Sequence, residues 1–154
     1  MRGTEEVAGS IPAPPTALFG NKRREEDLVK RIFIICPVRN VDPVTKRKLE
    51  RHVARMEKKG YRVHYPSRDT DQSDPIGNRI CATNQGAIFE ADEIHVWYSE
   101  QSTGSYFDLG GVFMLIEVLG YKKRVVIINN RQVLAAPGKS FLKVLRYLAS
   151  KKQQ

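Results

Sequence analysis

Residues 31–38 read RIFIICPV, an unbroken apolar run rich in β-branched side chains behind one leading arginine. A strand of this kind has no polar face to offer water, so it must be covered on both sides. That demands a sheet with helices above and below it. The rest of the chain supplies them in alternation. Asp42-Pro43 marks a helix start, with Asp as cap and Pro at the first helical position, and Gly60 stops that helix after Lys59. YRVHYP (61–66) is a second strand, followed by the polar loop SRDTDQSDP. Asp74-Pro75 repeats the cap-then-proline signal and predicts a helix through Glu90. EIHVWYS (93–99) is a third strand, Tyr106 to Leu119 a helix stopped by Gly120, RVVIINN (124–130) a fourth strand, and Ser140 to Ala149 a last helix.

Strand–helix alternation gives an α/β domain, a flavodoxin- or Rossmann-like parallel sheet of four to five strands with helices on both faces. Its ligand crevice lies beyond the C-terminal ends of the strands, so the loops after Val38, Pro66 and Ser99 should meet there. Residues 1–28 are set apart as an appendage by Pro12, Pro14, Pro15 and a polar, charged run from Asn21 to Asp27, leaving 29–154 as the domain.

Composition narrows the function classes. No apolar run approaches the roughly 20 residues that span a bilayer, and the N-terminus lacks the continuous apolar stretch of a signal peptide. Cys36 and Cys81 sit in apolar segments without metal-ligand spacing and read as reduced core thiols, which suits a cytoplasmic setting. The net charge is +9, and Lys46, Arg47, Lys48, Arg51, Arg55, Lys58 and Lys59 crowd one helix. No aromatic side chain interleaves with them to stack bases, which favours a solvated surface over a nucleic-acid partner.

Candidate site residues come from the helices. At about 100° per residue, Ile76, Ile80, Cys81, Ala87 and Ile88 form one apolar stripe, and Asn84 falls inside it. A polar amide there is either a satisfied core group or one facing a ligand cavity. The helix from Tyr106 is apolar almost all round, as a buried helix is. Asp108 lies on the side shared with Val112, Leu115 and Leu119, beside the loop Ser102-Thr103-Gly104-Ser105. That position favours a functional carboxylate over a mere brace. Small residues at a helix start can hold an anion, and Arg39, across the same crevice, can grip a phosphate with two hydrogen bonds. His52, His64 and His95 are scattered and form no ligand set. Neither a Walker loop, a G-x-G-x-x-G element nor a Ser/His/Asp triad is present, so no cofactor is expected. Phe89 and Ala82 lie off the core stripe and Phe113 adds further apolar area, which points to a homodimer.

Three motifs together resemble the nucleoside 2-deoxyribosyltransferase superfamily, which includes the deoxynucleoside 5′-monophosphate N-glycosidases. They are Cys36-Pro37-Val38-Arg39, Ala91-Asp92-Glu93-Ile94 and Ser102-x-Gly104-x-x-Phe107-Asp108-Leu109-Gly110, within Arg31 to Asn130. The resemblance implies cleavage of the bond between a base and a (deoxy)ribose, in a nucleoside or its 5′-monophosphate. The carboxylate nucleophile then matches Asp108, and an acid 24 residues earlier matches Asn84. Val38, Arg39, Ser102 and Gly104, with Ser105 beside them, match the phosphate-holding positions, and the loop carrying Arg68 and Asp69 would lie near the base. Two departures stand out: Asp108 is one methylene shorter than the family's glutamate, and Asn84 is an amide where the family has an acid. They leave a second reading, a nucleotide-binding or nucleotide-sensing module of the same fold without catalysis.

Overall fold

Side chains alternate along β1 (Arg31–Ile35), and this alternation divides the interior in two. In the computed structural model, which describes residues 28–134 and 137–151, Phe33 and Ile35 enter one apolar cluster and Ile32 and Ile34 the other. Complete burial of one such side chain contributes roughly 1.5–3 kcal/mol. β1 is therefore the apolar spine of the domain. It is hydrogen-bonded in parallel to β2 (Arg62–His64) on one side and β3 (Glu93–Val96) on the other. β4 (Arg124–Ile127) pairs with β3, giving the order β2-β1-β3-β4. The four-stranded parallel sheet bears out the expected α/β class.

Helix α1 (Pro43–Lys58) covers the face of Ile32 and Ile34 with Leu49, Val53 and Met56. Asp42 caps it as read, one carboxylate oxygen accepting from the N–H groups of Val44 and Thr45 at 2.9 Å each. Ile88 of α3 (Asn78–Glu90), Val112 of α4 (Thr103–Phe113) and Leu142, Leu145 and Leu148 of α5 (Phe141–Ser150) cover the other. The appendage expected for residues 1–28 lies outside the described residues, Leu28 excepted. Among the described residues, no helix is long and apolar enough to cross a membrane.

Four expectations are corrected. The loop after β2 contains one helical turn, α2 (Pro66–Asp69). α3 begins at Asn78 rather than at Pro75, because Gly77 takes a left-handed turn at φ +87° before the helix can start. Asp74 still reaches the helix, accepting from Arg79 N–H at 2.7 Å, but Ile76 is left 87% exposed and drops out of the stripe. α4 begins at Thr103, so Gly104 and Ser105 form its first turn instead of a loop. It also passes into a π turn (Met114–Val118) and is buried on one side only. Leu119, which α periodicity places beside Asp108, is 59% exposed. The π turn explains this, since its wider hydrogen-bond spacing rotates the residues after it out of phase.

Two of the three histidines read as scattered meet inside the core. Arg55 reaches His52 Nδ1 at 3.0 Å, His52 Nε2 lies 2.8 Å from His95 Nδ1, and His95 Nε2 lies 3.1 Å from a Glu93 oxygen that Arg124 also contacts. Arginine can only donate, so His52 Nδ1 must accept. The tautomers are then set in order: His52 donates from Nε2 to His95, and His95 donates from Nε2 to Glu93. Both rings are neutral in this arrangement. Burial holds His52 down to about 4, helped by His95, Arg55 and Lys59, and burial also lowers His95 against the pull of Glu93. A histidine whose folded pKa is depressed leaves stability intact above its unfolded value and removes it as pH falls toward the folded one. Denaturant titrations of the unaltered protein and of His52→Gln should therefore diverge between pH 7.5 and 5, the unaltered protein losing on the order of 1–2 kcal/mol relative to the variant.

Candidate functional site

The strand order changes direction between β1 and β3, since the chain leaves β1 toward β2 and leaves β3 toward β4. Loops departing to opposite sides open a crevice at such a point. Here it is a cleft of about 620 Å³. Cys36 to Asp42 after β1, Trp97, Ser99, Gln101 and Ser102 after β3 and the first turns of α3 and α4 contribute to its walls. Asn129 clamps the strand ends beneath it. Its side chain accepts from Tyr98 N–H and donates to Tyr98 C=O, both at 2.8 Å, replacing a missing rung of the ladder.

Asp108 lies at the base of this cleft, 8% exposed, one turn into α4. Asn84 Nδ2 donates to one carboxylate oxygen at 3.3 Å, and Gln85 Nε2 approaches the other at 3.5 Å. Asn84 is thus both the buried amide and the cleft-lining one of the two sequence readings, at 7% exposure. Burial pushes the Asp108 carboxyl up to about 6, and the two amide donors only partly offset it. The Cys36 thiol is pushed up to about 12 by burial and, secondarily, by the charge of Asp108.

Gln85 was not found by sequence reading. The signal was Gly111: a Cβ there would fall 1.9 Å from Gln85 Oε1. Only a glycine on α4 leaves room for the Gln85 amide to lie across the helix and reach Asp108.

Val38, Arg39, Ser102, Gly104 and Ser105 all line the cleft. Arg39 is exposed at its wall, next to Asn40, which takes the left-handed conformation at φ 54°. The Ser102 and Ser105 hydroxyls are 2.8 Å apart at the start of α4, where backbone N–H groups have no helical partner. Arg68 and Asp69 do not line the cleft. Arg68 bonds Asp69 at 2.7 and 2.9 Å, the Val63 carbonyl at 3.0 Å and Glu57 at 2.9 Å, while Asp69 accepts from Tyr65 N–H. Both side chains are used to hold α2 in place, and from this loop it is Gln72 that faces the cleft.

No protein-family model matches the chain, and no curated protein matches it in sequence. A structural match is found with the CMP N-glycosidase BcmB of Clostridium botulinum, at a TM-score of 0.52 over 78% of this chain and 83% of that one. The fold is shared. Sequence identity is 16%, so the likeness speaks for the architecture alone.

A carboxyl held at about 6 in the folded protein and near 3.8 when unfolded makes ionisation at neutral pH unfavourable to folding. The sign is that of a raised acid: stability is full below the unfolded value and is lost as pH rises through the folded one. Asp108→Asn should therefore raise stability by about 1–3 kcal/mol at pH 7.5, with the gain vanishing near pH 4. Thermal melts at the two pH values test this.

Proposed function

We propose that the cleft cleaves the N-glycosidic bond of a nucleoside or its 5′-monophosphate. One observation carries the reading: a buried carboxylate, Asp108, held by amide donors at the base of a cleft whose rim offers Arg39 and the first turn of α4. The shared fold with an enzyme that acts on CMP supports it. In the step proposed, an Asp108 oxygen bonds to the anomeric carbon as the carbon–nitrogen bond breaks. The base leaves with the electron pair and takes its proton from solvent, since the Asn84 amide is not an acid. Water then attacks the same carbon and releases Asp108 as carboxylate; a second base in place of water gives transfer. Arg39, Ser102, Gly104 and Ser105, with Val38, hold the 5′-phosphate. Arg68 and Asp69 act on the base only indirectly, through the turn they brace and the Gln72 that follows it into the cleft.

A second reading, a nucleotide sensor without turnover, is favoured by Asn84 standing where a proton donor would serve. Measuring free base released from a panel of ribo- and deoxynucleosides and their 5′-monophosphates separates the two. The enzyme reading expects release that declines below pH about 6, where Asp108 loses its charge. It further expects a loss on the order of 10³ or more in Asp108→Asn. In Arg39→Ala, monophosphate binding should weaken by about tenfold, with nucleoside binding unchanged. Ligand binding without release of base from any member of the panel would leave the sensor.

The same reading includes a homodimer. Phe89 on α3 and Phe107, Phe113, Met114 and Val118 on the α4–π helix are all exposed. Phe107 also lines the cleft, so a second copy on this face would wall the site. Light scattering at micromolar concentration should return twice the chain mass, and a monomeric mass would remove the dimer from the proposal.

A further inference from the structure

The hydrogen bonds of Asn84 do not end at Asp108. Its Oδ1 accepts from the Thr70 hydroxyl at 2.9 Å, and Thr70 Oγ1 lies 2.8 Å from His64 Nε2. His64 closes β2 and stacks on Phe33, with ring centroids 5.1 Å apart; Thr70 ends α2 and is buried. A run of side chains from four elements thus leads from the edge of the sheet to the base of the cleft.

We propose that Thr70, backed by His64, is a positioning residue that fixes which end of the Asn84 amide faces Asp108. An asparagine can present either its oxygen or its NH₂ group to a neighbour, and only the NH₂ group stabilises a carboxylate. Thr70 makes the choice because a hydroxyl has one proton. While that proton is given to Asn84 Oδ1, the amide NH₂ must point at Asp108, and the hydroxyl oxygen is left to accept from His64 Nε2–H. The run then reads, in donor order, His64 to Thr70 to Asn84 to the ionised carboxylate. When Asp108 takes up a proton on the oxygen that faces Asn84, the run stays whole only by reversing: Asp108 donates to Asn84 Oδ1, Asn84 to Thr70, and Thr70 to an unprotonated His64 Nε2. Ionisation of Asp108 and the proton position on His64 are therefore coupled through Thr70. The charged and titratable groups around the run are Cys36 beside Asp108, whose other oxygen meets the neutral Gln85 amide, and Asp69 and Arg68 around His64. The consequence for catalysis rests on Asp108 acting as proposed above; the positioning itself does not.

The test is carbon NMR titration of the Asp108 carboxyl in the full chain. Thr70→Val keeps the shape but lets the amide turn, and should raise the Asp108 midpoint by roughly 0.5–1 pH unit. Thr70→Ser, which keeps the hydroxyl, should restore it. A folded Thr70→Val with an unmoved midpoint overturns the proposal. Nitrogen NMR of His64 in the unaltered protein at pH 8 is a test that requires no variant. Protonation at Nε2 is expected, and protonation at Nδ1 alone would mean the amide faces the other way. In kinetics, the acid limb of kcat/KM should move with the NMR midpoint. If the midpoint moves as expected and no variant releases base, the positioning stands and the glycosidase reading fails.

Discussion

The parallel pairing of β1 on both of its edges is the constraint on which the other features depend. A strand hydrogen-bonded on both sides and apolar on both faces cannot sit at the margin of a domain. Here the chain leaves β1 toward β2 and β3 toward β4, and loops that diverge in this way do not fill the space between them. The cleft is a result of topology before any functional residue is placed in it. Asp108 and Asn84 reach it because α3 and α4 are the helices packed beside that gap.

Placing an ionisable group there works against folding. Burial opposes the charge of Asp108, and the protein answers with two amides instead of a cation. Amide dipoles moderate the penalty without cancelling the charge, which suits the nucleophilic role proposed for the carboxylate. An ion pair at the same place would have lowered the pKa further. The neutral, directional surroundings of Asp108 are thus a compromise between stability and chemistry.

Much of the fold was legible because its signals are local. The run from Arg31 and the Asp42-Pro43 cap each specify their element from a few neighbouring residues, and the structure agrees with them. Errors arose where a local signal was overridden: Gly77 delayed α3 behind the Asp74-Pro75 signal, and the low helix propensity of Gly104 hid the true start of α4. The site was legible in part. Helical phase put Asp108 on a meaningful side, and the family resemblance paired it with Asn84. Gln85, Thr70 and the His52–His95 contact were not legible, because each depends on which helix lies across which strand. A polar side chain inside a core announces only that it has a partner. The partner's name comes from the topology.

The π turn at the end of α4 has a consequence for how this helix can change over evolutionary time. It is one residue too many for an α-helix, absorbed after the part of the helix that carries Asp108. Loss of a single residue between Met114 and Val118 would restore ordinary winding and swing Leu119 back toward the core. The carboxylate, lying upstream, would not turn at all. Insertions and deletions are normally the most damaging lesions a buried helix can suffer, yet here the chain keeps a slack turn that can take one up. The half that carries the carboxylate and the tail of the helix can therefore drift in length independently.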